Sequence, residues 1–380
     1  MGTFCGSGVA AGLRRLSYLY LDQLQFAQAE RHQKRAVAIM EKAHGRDHPE
    51  VANDLSMLGL IYAAAGQYVQ AEPVARRVVE IEEKARGPDH LVVAMGVRDL
   101  ADIHDSLGQY AQAERLYKRA LAIFEKAGGA DRHGVAPQLV RLAKFYVDQD
   151  RLGEAEPLLD RALEIYEETE GRDDPLVARI LDASAELHDA RGNHMYARRL
   201  FMRAMKIREK AFGAKHVEVA TSMTKLGAHY QAQGQYDVAE SFYRRALGMS
   251  KNLEGLERLE LATTLTSLAG LYEVQNDHAQ AQPPYQLALK IREETLGPNH
   301  PEVADALSDL GALHVARGRH ALAEPLHRRA LDIRERALGP DHPDVAASLE
   351  ALVALYQATD REQEAKPLAQ RADRIRTMQR

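Results

Sequence analysis

The chain has 380 residues, of which 45% are hydrophobic and 28% charged, and its formal net charge is −5. This composition is typical of a folded protein and lacks the positive charge that nucleic-acid-binding proteins carry. No run of about 18 apolar residues occurs, so the sequence predicts no membrane-spanning helix. The N-terminus does not resemble a secretion signal, and the single cysteine, Cys5, cannot form an internal disulfide. We therefore expect a cytoplasmic protein that has neither a nucleic-acid nor a membrane partner.

A glycine recurs every 42 residues, at Gly45, Gly87, Gly129, Gly171, Gly213, Gly255, Gly297 and Gly339. An alanine follows each glycine after seven residues, and a second alanine follows after 26. A fixed period of about 20–50 residues indicates a repeat protein, in which each unit packs only on its neighbours. The chain is predicted to consist of a flexible N-terminus, residues 1–7, and one repeat array, residues 8–380. The nine units are placed at 3–44, 45–86, 87–128, 129–170, 171–212, 213–254, 255–296, 297–338 and 339–380.

Each unit predicts two helices, as the unit from Gly45 illustrates. Its first half carries apolar residues spaced by three or four, which share one helix face: Val51, Leu55, Leu58, Ile61 and Tyr62. Gly66 then marks a break, and its equivalents from the third unit onward are only Gly, Asn or Asp, which tolerate the left-handed conformation that ends a helix. The second helix should begin at residues 67–69, because Pro73 must lie in a first turn, where no amide partner is lost.

The stretch "ALGPDHPDVA", residues 337–346, represents the corner between two units. Gly339 is predicted to end one helix in the left-handed conformation, and Pro343 suits the first turn of the next helix. Asp341 or His342 is left to cap that helix, and Asp is the better capping residue.

Histidines recur at the corners and raise the question of a metal site: His48, His90, His300 and His342. Successive corners are separated by two helices, which pack about 8–10 Å apart. Two corner imidazoles therefore cannot reach one ion at about 2 Å each. We predict that these histidines serve the geometry of the corner and that the chain has no metal site.

The unit resembles the tetratricopeptide repeat, whose signature combines L-G-x2-Y with A-x3-F. Leu58, Gly59 and Tyr62 match the first part, and Ala239 with Tyr243 matches the second. The period of 42 and the motifs "GPDHPxVA" and "AExLxxRALxIxE" resemble the kinesin light chain type of this repeat. The resemblance covers about residues 8–380. It implies an all-α protein, namely an α-solenoid in which about nine antiparallel helix pairs form a right-handed superhelix.

The resemblance also implies a binding surface, because the first helix of each tetratricopeptide unit lines the concave groove. The kinesin light chain repeat carries adjacent asparagines there, and none of the matching pairs here contains an asparagine, so we do not expect a general clamp for peptide backbones. The candidate groove residues are Arg98, Asp99, Asp102, Arg141, Lys144, Arg179, Asp182 and Lys225. They form either a solvated helix face or a surface on which Arg141, Lys144 and Lys225 attract an acidic segment, flanked by Arg98.

No P-loop, H-E-x-x-H or C-x-x-C motif occurs, so we predict no catalytic residue and no cofactor. The favoured function is an interaction scaffold that binds a protein segment, as an extended peptide or a helix, in its groove. The alternative is the regulatory or sensor array of a larger enzyme or signalling protein, whose catalytic part lies outside this chain. The last unit lacks the extra polar helix that usually caps an array. Three explanations would account for the absent cap: further sequence beyond this chain, a homodimer joined through the terminal repeats, or a last helix whose outer face is exposed to solvent.

Overall fold

The computed structural model describes residues 2–128, 134–249, 255 and 257–378, without the side chains of residues 2–7 and 128. The described residues contain eighteen α-helices and no strand. The helices are α1 (Gly2–Asp22), α2 (Phe26–His44), α3 (Pro49–Ala64), α4 (Tyr68–Arg86), α5 (Leu91–Ser106), α6 (Tyr110–Gly128), α7 (Ala136–Asp148), α8 (Leu152–Thr169), α9 (Pro175–Ala190), α10 (His194–Phe212), α11 (Val217–Ala232), α12 (Tyr236–Met249), α13 (Glu257–Val274), α14 (His278–Leu296), α15 (Pro301–Ala316), α16 (His320–Leu338), α17 (Pro343–Gln357) and α18 (Glu362–Met378). Two helices per period confirm the predicted all-α solenoid of about nine units. None of these helices is long and apolar enough to cross a bilayer.

The chain divides into two compact units. Unit 1 comprises Met1–Ala127, Leu296–Asp305 and Glu324–Arg380, and unit 2 comprises Gly128–Thr295 and Ala306–Ala323. Within unit 2, each helix from α7 to α12 packs on the next, and the first helices of some successive repeats also touch, α7 on α9 and α11 on α13. The single continuous solenoid, its handedness and the flexible N-terminus remain predictions. The backbone of residues 2–7 belongs to α1, which by itself says nothing about motion.

The turn within each repeat has the left-handed backbone that the sequence predicts. Gly66 has a φ of 69°, and Asp150 and Asn276 have φ values of 57° and 59°. Leu24 occupies the same position in the first repeat with a φ of 58°. A leucine there carries a steric cost that Gly, Asn and Asp largely avoid. The first repeat therefore departs from the pattern of the other eight.

The corner between repeats differs from the prediction in two ways. Three corner glycines, Gly45, Gly87 and Gly213, have a positive φ but an extended ψ, for example 89° and 159° at Gly45. This conformation is not the left-handed helical one, and it is open essentially to glycine alone. The helix cap at this corner is His342 rather than Asp341, because the Nδ1 atom of His342 accepts the backbone N–H of Asp344 at 3.0 Å.

The same histidine cap recurs at four further corners, those of His48, His90, His216 and His300, where Nδ1 accepts an N–H at 3.2 Å. At the corner before α9, Asp174 accepts the N–H of Leu176 instead, at 2.8 Å. The recurring histidines therefore satisfy one of the unpaired amides at a helix N-terminus.

The second helix begins at Tyr68, within the predicted range, but Pro73 lies one turn further in than expected. Pro157, Pro325 and Pro367 occupy the same position in α8, α16 and α18. A proline there removes one intrahelical hydrogen bond. The predicted limit on the place of proline is therefore too strict.

Small residues and arginines join neighbouring repeats. The alanines seven residues after each corner glycine are buried, as are Ala120, Ala162, Ala204, Ala246, Ala288 and Ala330 in the second helices. Arg77 and Arg203 each bind a glutamate of the preceding repeat at 2.6 Å, Glu41 and Glu167. Arg371 binds Glu335 in the same way. These three corner arginines also donate to a backbone carbonyl of their own corner, at 2.6–3.2 Å.

Two parts of unit 1 that are distant in sequence also touch. Pro301, at the start of α15, packs directly on Gly66, and Pro343 would lie 2.7 Å from a Cβ atom placed at Gly108. The adjacent caps His300 and His342 are buried by this contact, whereas His48 and His90 are exposed. Glycine at residues 66 and 108 thus serves both the turn and the close approach.

Candidate functional site

In unit 1, the predicted groove residues lie on α5, whose other face is buried through Val93, Val97 and Leu100. Arg98 forms an ion pair with the adjacent Asp99, at 2.7 Å. Asp102 accepts a hydrogen bond from the hydroxyl of Tyr117 in α6, at 2.7 Å. These three residues therefore already have partners on the chain itself, which reduces the charge that they offer to another molecule.

In unit 2, α7 presents Arg141 and Lys144 as exposed residues one turn apart, and it buries Leu139, Leu142 and Phe145 on its other face. Asp148 follows Lys144 by one further turn. Partial burial raises the pKa of Asp148, the charge of Lys144 opposes this shift, and the charge of Glu186 adds to it. The carboxylates of Asp148 and Glu186 therefore lie close enough for the charges of α7 and α9 to interact.

The neighbouring first helices extend this row of charges. Arg179 and Glu186 are exposed on α9. Lys225 on α11 forms an ion pair with Glu186 and is partly buried. We call these six residues the unit 2 strip: Arg141, Lys144, Asp148, Arg179, Glu186 and Lys225. The strip is cationic near Arg141, Lys144 and Arg179 and mixed in sign near Lys225.

Asp182 lies inside the repeat array rather than on the strip. Its carboxylate is 2.7 Å from Arg208 of α10, and both side chains are 4% exposed. Desolvation raises the pKa of Asp182, and the hydrogen bond from Arg208 opposes the shift. Arg208 also donates to Ser222 of the next repeat at 2.7 Å. Asp182 thus belongs to a buried network in which Arg208 joins two repeats.

The sequence contains a signal for this buried network that the prediction of groove residues missed. Arg208 follows its corner glycine by 37 residues, and Arg292, Arg334 and Arg376 occupy the same position in other repeats. Arg334 likewise binds an aspartate and a serine of neighbouring first helices, Asp305 and Ser348, both at 2.6 Å. Arg208 and Arg334 are buried in this register, whereas Arg376 of the last repeat is 45% exposed.

One side-chain cluster in unit 2 brings together atoms that are typical metal ligands. Asp189 at the end of α9, His194 at the start of α10 and His229 in α11 each offer one ligand atom, and these atoms lie within 4.8 Å of one another. The prediction that the chain has no metal site rests on the corner histidines and on the absence of the H-E-x-x-H and C-x-x-C motifs, and it does not consider these three residues. The sequence nevertheless marks His229 as unusual, because the other repeats from Gly45 onward hold a large apolar residue at this position.

Comparison with known families identifies the fold. The family model for the tetratricopeptide repeat matches residues 8–84, 55–126, 136–210, 185–252, 260–336 and 309–377. Together these matches cover most of the chain. The chain belongs to the tetratricopeptide repeat family, as its sequence indicates. None of the curated proteins with which the chain was compared matches it.

Several solved structures have a similar fold. BtubC (BKLC) from P. vanneervenii is 23% identical, with a TM-score of 0.51, over 60% of this chain and 91% of BtubC. A Rap protein, solved in complex with Competence and Sporulation Factor, is 15% identical over 98% of this chain and 99% of that chain, with a TM-score of 0.54. A putative kinesin light chain of Podosopora anserina is 23% identical over 53% of this chain and 96% of that chain, with a TM-score of 0.48. At these identities the likeness concerns the fold alone.

Proposed function

We propose that the chain is a protein–protein interaction scaffold that binds an acidic protein segment on the unit 2 strip. The observation that carries this proposal is the pair of exposed cations on α7, Arg141 and Lys144, beside Arg179 on the next first helix. First helices that touch along a tetratricopeptide array form a continuous surface, so these cations are presented together. An acidic segment, extended or helical, would bind across them.

The chemistry of the strip favours carboxylates over other groups. Arginine offers a planar set of donors that matches a carboxylate in two parallel hydrogen bonds. Several exposed charges lie close together on the strip, and a network of charges contributes more to binding than an isolated exposed pair. Asp148 and Glu186 would repel a misplaced carboxylate and thereby fix the register of the partner.

The remaining predicted residues take secondary roles in this proposal. Lys225 acts as a flanking contact of the strip, whose existing ion pair with Glu186 must be exchanged on binding. The α5 residues Arg98, Asp99 and Asp102 lie in unit 1 and are proposed as partner contacts of that unit alone, where an ion pair and a hydrogen bond must likewise be exchanged. Asp182 supports the surface from the interior through Arg208. The Rap protein of similar fold has been solved with a bound factor, which agrees with a binding role for an array of this kind. A regulatory array of a larger protein would use the same surface.

Display of random linear peptides on phage tests the proposal and does not require that the natural partner be identified first. Peptides enriched on the wild-type chain should contain an excess of Asp and Glu. The variant R141E/K144E should lose this enrichment, because its charge is reversed at the centre of the strip. The matched control is R198E/R199E, which reverses two exposed charges on the second helix α10. Equal acidic enrichment on wild type and R141E/K144E would refute the assignment.

A further inference from the structure

We propose that Asp189, His194 and His229 form a zinc site at the junction of two consecutive repeats in unit 2. The carboxylate of Asp189 lies between the two imidazoles. Its Oδ1 atom is 2.9 Å from Nδ1 of His194, and its Oδ2 atom is 2.6 Å from Nδ1 of His229. Three donors therefore converge on one point from the ends of three different helices.

The distances suit a small divalent cation. An ion about 2.0–2.2 Å from nitrogen and oxygen ligands in tetrahedral geometry needs ligand atoms roughly 3.3 Å apart. Two of the three separations in the cluster are shorter than this and the third is at most 4.8 Å. Small side-chain rotations would thus replace the two hydrogen bonds to Asp189 by three metal bonds, without a shift of the helices.

The position of His229 favours a ligand over a packing role. The equivalent residues of the other repeats from Gly45 onward are all large and apolar: Ile61, Ile103, Phe145, Leu187, Leu271, Leu313 and Leu355. The side chain of His229 is 1% exposed, so an imidazole stands where an apolar side chain packs in those repeats. Burial of a polar ring is unfavourable unless its nitrogens are bonded, and here they face Asp189 and Gln233.

Gln233 provides the outer contact that a metal-bound histidine requires. Its side-chain amide lies 2.8 Å from Nε2 of His229. When Nδ1 binds a metal, Nε2 carries the proton and needs an acceptor. The amide of Gln233 offers an oxygen as well as a nitrogen, and rotation by half a turn presents that oxygen. The residue can thus partner His229 in both states.

The ligand set selects zinc. Two imidazoles and one carboxylate, completed by water, are a known zinc environment. Four-coordination requires only one further ligand, and His194, 40% exposed, opens the cluster to solvent on one side. An octahedral ion would need three further ligands, and the side chains of His229 and Asp189, 1% and 16% exposed, face little solvent that could supply them.

The test is titration of Zn²⁺ into the metal-stripped full chain, purified without a polyhistidine tag and followed by calorimetry. We expect one zinc per chain with micromolar or tighter affinity. His229→Leu should weaken binding by at least about 100-fold. Four other repeats from Gly45 onward hold leucine at the position of His229, so the variant should still fold. Asp189→Asn, which keeps the size of the side chain, should weaken binding as well.

His314→Tyr is the matched control, since it removes a buried histidine elsewhere in unit 2 at a position where six other repeats hold tyrosine. It should keep the affinity of the wild type. Co²⁺ gives a second reading, because a tetrahedral site produces strong visible absorption that His229→Leu should abolish. A wild-type chain that binds no stoichiometric zinc overturns the proposal. So does zinc binding that persists unchanged in both His229→Leu and Asp189→Asn.

Discussion

The guanidinium of Arg208 in α10 lies 2.7 Å from the carboxylate of Asp182 in α9, and the same guanidinium reaches Ser222 in α11. One buried arginine thus connects three helices of two repeats. We expect Arg208→Met to lower the free energy of unfolding by about 3–5 kcal/mol, because Asp182 would keep a buried charge without a partner. Thermal melting followed by circular dichroism measures the loss.

The double variant Arg208→Met/Asp182→Leu separates the charge effect from lost packing. Removal of both charges leaves apolar groups in an apolar setting, so most of the stability should return. A double variant as unstable as Arg208→Met alone would show that the ion pair is not the cause.

Gly227 and Gly59 occupy the same position of the repeat but should respond in opposite ways to alanine. A Cβ atom at Gly227 would lie 2.6 Å from the ring of Tyr243, which is fully buried and donates to Gln231. At Gly59 the nearest atom, on Val74, would be 3.8 Å away. Gly227→Ala should therefore cost about 1–3 kcal/mol. Gly59→Ala should be neutral or stabilising by up to about 1 kcal/mol, because alanine favours the helix.

The melting temperatures of Gly227→Ala and Gly59→Ala, each compared with the wild type, measure the two effects. Equal shifts for the two variants would contradict the packing described for Tyr243.

These two glycines also show how far the sequence predicts the structure. Periodicity locates both helices of every repeat and the left-handed turn at Gly66, because these features depend on residues close together in the chain. The residue that faces a given glycine comes from the other helix, and the same Leu-Gly motif cannot reveal whether it is Val74 or Tyr243. Asp182 illustrates the same limit, since its helical phase predicts a surface position while its partner, Arg208, lies on the next helix.

His300 should make the stability of unit 1 sensitive to acid. Burial lowers the pKa of His300 from 6.5 to about 4, although the backbone carbonyl of Ala64 and the charge of Asp305 act in the opposite direction. Between these two values the unfolded chain binds a proton that the folded chain does not bind. The free energy of unfolding therefore falls as the pH drops through this window, by at most about 3 kcal/mol, and this contribution is fully present above pH 6.5.

His300→Asn isolates this effect, because asparagine can still cap α15 but does not titrate. The melting temperature of the variant should fall less steeply with pH than that of the wild type. His90→Asn changes an exposed cap of the same kind and should leave the slope as in the wild type. Parallel curves for wild type and His300→Asn would show that burial of this imidazole is not linked to stability.

Ala246 tests the contact between helices. Its side chain is fully buried in α12, and six other repeats from the third onward hold alanine at this position. We expect Ala246→Leu to cost roughly 1–3 kcal/mol, because added methyl groups must displace packed neighbours. Ser241→Leu, at an exposed position of the same helix, serves as the control in thermal melting. Similar melting temperatures for the two variants would argue against close packing at Ala246.

The corner arginines limit how a chain of this kind can change in length. Arg203 and Arg371 each bind a glutamate 36 residues earlier and a carbonyl of their own corner. Duplication of the whole 42-residue period 171–212, which carries both Arg203 and Glu209, would leave every such arginine opposite a glutamate. An insertion of another length would separate the two at one junction. Evolution, or a protein engineer, can therefore lengthen the array most readily by complete periods that carry both the arginine and the glutamate, because such a period brings its own attachment to its neighbour.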